Sequence, residues 1–119
     1  MSYDIQLFKT ETKNKQQRLD DENFFDNEGN FEPFTSDEVQ HLVERLESYG
    51  YIQKERNNDG QHFVHEEFTI TALLTNSGLY FTAGSDTDSI FEAGMTASEL
   101  TDTGEFEKYD PQNGGWEAL

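Results

Sequence analysis

The sequence predicts an α+β domain in which an antiparallel, largely meandering sheet carries one principal helix, over about residues 36–49, packed on one face. Three observations predict it. Apolar residues recur at helical spacing most clearly in one segment. Strand-like runs separated by turn-forming residues fill most of the chain beyond that segment. A chain of 119 residues can bury one core but not two, so a single domain spanning 1–119 is expected.

Taken in order, Tyr3, Ile5 and Leu7 alternate with Asp4, Gln6 and Phe8, as on a half-buried opening strand. Residues 13–33 lose this periodicity while collecting Asp, Glu, Asn and Gly. They read as a long acidic loop with one helical turn near residues 16–20. Thr35 and Glu38 then form a T-x-x-E capping box, with Phe34 and Val39 placed as a hydrophobic staple. Val39, Leu42, Val43, Leu46 and Tyr49 come next at helical spacing, and Gly50 stands where a left-handed residue ends a helix.

"YIQKER" and "QHFVHEE" flank "NNDG", and "FTITALLT" and "LYFTA" flank "NSG", so two hairpins are expected. After the turn "SDTD", the run "SIFEAGM" fits a further strand, with a short helix as the alternative. Thr96 and Glu99 repeat the capping pattern and predict a helical turn near residues 97–102. "EFEKY" reads as a last strand, and the tail "DPQNGGWEAL" holds the only Trp.

Leu, Ile, Val and Phe supply only 26 of the 119 residues, so folding leans on ten Phe, five Tyr and one Trp. The formal charge is −17, and its distribution matters more than its sum. Half of the eight cations lie in the first eighteen residues, whereas residues 57–107 contain ten acids and neither Lys nor Arg. Such a field repels nucleic acid and anionic membranes and favours a basic partner, although solvated faces would give the same composition. Cysteine is absent, which removes disulfides and thiolate chemistry. No signal-type apolar region opens the chain and no apolar run is long enough to span a bilayer, so a soluble cytoplasmic protein is expected.

The stretch "GQHFVHEEF" brings two of the three histidines together. On a strand, His62 and His65 differ by an odd number and point to opposite faces, a poor arrangement for gripping one ion. If the strand ran on, Glu66 would share a face with Val64, Phe68, Ile70, Ala72 and Leu74, so a bulge at residues 66–67 is expected to reset the register. The chain has no nucleophile elbow, phosphate loop, H-E-x-x-H or EF-hand spacing, and no metal site, cofactor or catalytic residue is predicted.

Binding has more physical content. Phe24, Phe25, Phe31 and Phe34 interleave with Asp20, Asp21, Glu22, Asp26, Glu28 and Glu32. Rings set in an anionic rim suit a cationic protein surface, which makes Phe24, Phe25, Asp26, Glu28, Phe31, Glu32 and Trp116 the candidate partner-binding residues. The competing possibility is that these rings fold back as lids on a small core. The expected function is a small acidic binding or inhibitor protein for a basic protein partner. The alternatives are a small enzyme or ligand carrier with a pocket on the sheet near His62, His65 or Tyr80, and a DNA mimic with carboxylates at phosphate-like spacing. A homodimer paired through an exposed sheet edge stays open. The opening "MSYDIQLF" resembles the start of various small uncharacterised bacterial proteins, and the size and acidity are similar to those of immunity proteins that neutralise a co-encoded toxin. That resemblance implies a bacterial cytosolic setting and carries over no functional residue.

Overall fold

The computed structural model describes residues 3–19, 23–58, 60–111 and 115–116, with the Glu28 side chain outside that set. Among them, seven strands form one antiparallel sheet in the order β2-β3-β4-β5-β1-β6-β7. The strands are β1 (Tyr3–Lys9), β2 (Tyr51–Asn57), β3 (Gly60–His65), β4 (Ile70–Leu74), β5 (Leu79–Ala83), β6 (Phe106–Asp110) and β7 (Gly115–Trp116). The helices are α1 (Thr10–Leu19), α2 (Ser36–Ser48) and α3 (Thr87–Glu99).

The α+β class and the two hairpins are as expected, and β2 to β5 form the meander. The first strand, however, is interior. β1 pairs with β5 on one edge and β6 on the other, and it carries buried side chains on both faces. Ile5 and Leu7 are buried on one face and Phe8 on the other, which is why its alternation of apolar and polar residues breaks at Phe8.

On the front face, Leu42 and Leu46 of α2 and Ala93 and Ala97 of α3 join Ile5, Leu7, Phe63, Ala72 and Phe81 in the main core. α2 begins as its sequence dictates: the Thr35 hydroxyl accepts from Glu38 N–H at 3.1 Å, and Glu38 Oε1 accepts from Thr35 N–H at 2.8 Å. Lys9 Nζ lies 3.2 Å from the same carboxylate.

α3 is a second helix as long as α2; it takes the place of the strand at "SIFEAGM", where a short helix was the alternative, and its last residues run into the turn expected near 97–102. Asp86 caps it by accepting from Ser89 N–H at 2.9 Å. Ile90, Ala93, Ala97 and Leu100 are spaced helically against the core. Thr96 sits within the helix, its hydroxyl donating to Glu92 O at 2.9 Å, so it starts nothing.

α1 takes residues 13–19 of the expected loop and extends the helical turn expected near residues 16–20 back to Thr10. It has no apolar stripe, and its one large apolar residue, Leu19, is exposed. Good helix formers and polar anchors hold it instead: Thr10 N–H to Glu105 O, Lys13 to Glu107 at 3.0 Å, and Trp116 Nε1–H to Gln16 at 3.0 Å.

The register break after His65 is a four-residue connection, residues 66–69, rather than a bulge. Glu66 is exposed there, so no carboxylate enters the apolar row. The bulge lies in β2, between Gln53 and Glu55. Together with Lys54 and Arg56 on this outer strand, it disfavours strand pairing with a second copy.

Tyr51 sits in the main core with its hydroxyl buried and making no well-formed hydrogen bond among the described residues, with the Thr96 hydroxyl nearby. Burial, with the Glu92 carboxylate nearby and the Thr96 hydroxyl opposing, pushes the phenol up to about 12. The folded chain therefore holds this proton more tightly than the unfolded chain does. Its contribution is complete below about pH 10, and about 2–3 kcal/mol is lost as pH climbs towards 12. Tyr51→Phe is expected to leave urea stability at neutral pH equal or higher, since it deletes an unsatisfied hydroxyl, and to flatten the alkaline loss. An unchanged alkaline slope would refute this.

Candidate functional site

The sheet brings Phe24, Phe25, Phe31 and Trp116 together, but facing inward. Phe24 is 0% exposed and Phe31 7%. They pack with Phe8 on the back face, joined by half-buried Phe25, Tyr80, Tyr109 and Trp116. Ring centroids lie 5.0 Å apart for Phe8–Phe31, 4.5 Å for Phe25–Tyr109 and 4.9 Å for Tyr109–Trp116. Phe24 and Phe31 thus fold back as lids, the competing possibility, rather than standing out as anchors, while Phe25 and Trp116 are half-buried. The back face of a central strand offers apolar surface that must be covered, and the short 3₁₀ turns at Phe24–Asp26 and Glu28–Asn30 cover it. Asp26 is exposed, whereas Glu32 is tied down: its N–H donates to Thr12 at 2.9 Å, and its carboxylate lies 4.0 Å from Lys15. Asp20, Asp21, Glu22 and the Glu28 side chain lie outside the described residues, as do tail residues 112–114 and 117–119.

His62 and His65 occupy opposite faces, as their spacing requires. His65 is buried with Phe63. Its Nδ1 accepts from the N–H of Glu67 and Phe68 at 3.0 and 3.2 Å, so Nε2 carries the hydrogen and donates to Tyr49 O at 2.9 Å. One ring thus fastens the β3–β4 connection to the end of α2. His62 Nε2, on the back face, is buried and has no partner among the described residues. Within that same set no group of three or more His, Asp or Glu is arranged to hold a metal ion.

The exposed apolar surface lies on α3. Phe91 is 69% exposed and Met95 38%, and Phe91 is the most exposed large apolar side chain among the described residues. Asp88, Phe91, Met95 and Glu99 succeed one another at three- and four-residue intervals and form one exposed ridge. Beside it, a groove of about 460 Å³ runs between α3 and strands β1 and β6, lined by Tyr3, Ile5, Gly94, Ser98, Lys108 and Asp110 with Phe91 and Met95 of the ridge, while Asp88 and Glu99 stand outside it. Lys108 Nζ donates to Ser98 Oγ at 3.0 Å, and the Tyr3 hydroxyl donates to Asp110 at 2.7 Å. That last bond pushes the Tyr3 phenol up to about 12.

The strand directions also gather charge. The start of β1, the β3–β4 connection, the link from β5 to α3 and the end of β6 all lie at one end of the sheet. They place Asp4, Glu66, Glu67, Asp86, Asp88 and Asp110 there, and these segments contribute no Lys or Arg. A second cavity, about 520 Å³, opens at the opposite end beside Arg56, Asn57, Gln61, Asn76 and Tyr80.

Phe91 and Met95 were missed by sequence reasoning because "SIFEAGM" fits a strand locally. The acid–Phe–Met–acid spacing across 88, 91, 95 and 99 was the available signal, and it has meaning only on a helix.

Comparison with family models, curated proteins and solved structures returns no match. The fold and the surface therefore define a class alone: a compact α+β domain with an anionic end and an exposed aromatic ridge. Among the described residues no helix is long and apolar enough to cross a membrane.

Proposed function

We propose that this protein is an acidic binding or inhibitor module that docks a basic protein partner, an immunity-type protein in the setting its resemblance implies. The observation supporting this is the anionic end of the sheet meeting the start of the α3 ridge, where exposed Asp86 and Asp88 adjoin exposed Phe91 and Met95; Lys108 and Arg45 lie further along, beside Ser98 and Glu99. Carboxylates there would steer a cationic surface into contact, while the ring and thioether supply area to be dried on binding.

The test is affinity for a recovered native partner across a salt series. Binding should weaken steadily as ionic strength rises, and Asp86→Asn with Asp88→Asn should reduce that dependence. A partner that binds equally well at low and high salt would end the electrostatic account. The second reading, a ligand carrier, is favoured only by the hairpin-end cavity beside Arg56, and thermal stabilisation by a small anion would support it.

A further inference from the structure

Gly94 is an unexpected residue for the middle of α3, since glycine weakens a helix interior relative to alanine. Three ordinary reasons for a glycine are absent. Its backbone is not left-handed. A methyl group there would meet Ile5 Cδ1 at 3.6 Å and Lys108 Nζ at 3.7 Å, which is normal contact, so close helix–sheet packing does not demand it. No turn or cap falls at this position, because the helix continues to Glu99. What the missing side chain does is keep the floor of the α3–β6 groove open, directly beside the exposed ring of Phe91.

We propose that this groove is the docking site, and that its occupant is a basic segment of a partner protein. The segment seats one bulky apolar side chain over Gly94, against Phe91 and Met95, and pairs its Lys or Arg side chains with Asp88 and Glu99 on the ridge. Lys108, held at the groove wall by Ser98, keeps the partner's cations out of the floor and directs them to the ridge carboxylates. The assignment rests on the acidic-binding reading above and adds where the partner sits and what it must carry. It accounts for two features that each work against the isolated chain, a glycine inside a helix and a phenyl ring left in water.

A random dodecapeptide library displayed on phage and selected against the intact protein tests this, followed by titration of the selected peptides against variants. Enriched peptides should combine Lys or Arg with a bulky apolar residue. They should bind Phe91→Ala about tenfold or more weakly, since a central aromatic contact commonly carries that much. Gly94→Leu should block binding. Gly94→Ala, which fits without a clash, should melt at a higher temperature than the parent while binding more weakly, so loss of binding in that variant cannot be ascribed to unfolding. Basic peptides that bind Phe91→Ala and Gly94→Ala as well as the parent chain would overturn the groove assignment and leave the acidic-binding reading standing. Enriched peptides without an excess of cations would overturn both, and a selection that enriches nothing would overturn the groove assignment.

Discussion

Phe24→Ala is expected to destabilise the protein by about 3–5 kcal/mol, the range for removing a fully buried ring, and to lower the melting temperature by on the order of 10–20 °C. Phe24 is wholly buried and stacks edge-on with Phe25 at 5.3 Å and beside Phe31 at 5.9 Å. Truncation opens a cavity in a cluster whose other members are Phe25 and Phe31 of the same segment and residues of β1, β5, β6 and β7, and this small second core has few neighbours that could relax into the space. The measurement is thermal and urea unfolding of Phe24→Ala beside Phe91→Ala. The two substitutions delete the same ring from the same net charge, yet the second should change stability by well under 1 kcal/mol because its ring is already in water. Equal destabilisation by both would contradict the placement of the two rings.

His65→Leu is expected to cost about 2–4 kcal/mol although it replaces an imidazole in the core by an apolar side chain of similar size. The loss is polar. Leucine leaves the N–H groups of Glu67 and Phe68 and the carbonyl of Tyr49 without the partner they share. Each such group, where water cannot reach it, costs about 1–3 kcal/mol. Amide exchange gives a sharper readout than global stability. The Glu67 and Phe68 N–H groups should exchange much faster in the variant, whereas ladder N–H groups of β4 should slow or quicken only with overall stability. Unchanged protection at Glu67 and Phe68 would show that the ring does not hold this connection. Replacement by Asn, whose side-chain oxygen can accept a hydrogen bond, should recover part of the loss.

Both results bear on how far the sequence could be read. α2 was legible because everything that starts and stops it is local: the Thr35–Glu38 box, the apolar stripe through Leu42 and Leu46, and Gly50 in the left-handed region. The two hairpins were legible for the same reason. α1 was not, because the contacts that fix it reach to Glu105, Glu107 and Trp116, nearly a hundred residues away, and leave no apolar period behind. α3 was ambiguous because its buried residues, Ser89, Ala93, Thr96 and Ala97, are small or polar and leave no strong apolar stripe, while the large apolar Phe91 and Met95 face outward.

The candidate site divides the same way. Phe among carboxylates was visible twice, at 24–32 and at 88–99, and the two patterns look alike in one dimension. Phe8, out of step with Ile5 and Leu7, was the one hint that β1 is buried on both faces and that something must cover its back.

By itself, then, the sequence determined an α+β domain, its best-capped helix, its hairpins, and a strong negative field with a long stretch free of cations. These arise from short-range backbone preferences and from simple charge counting. The tertiary structure alone decided which aromatic residues are core and which are surface. Solvent exposure depends on the faces left uncovered once β1 has been inserted between β5 and β6, and that insertion is a long-range pairing with no local signature.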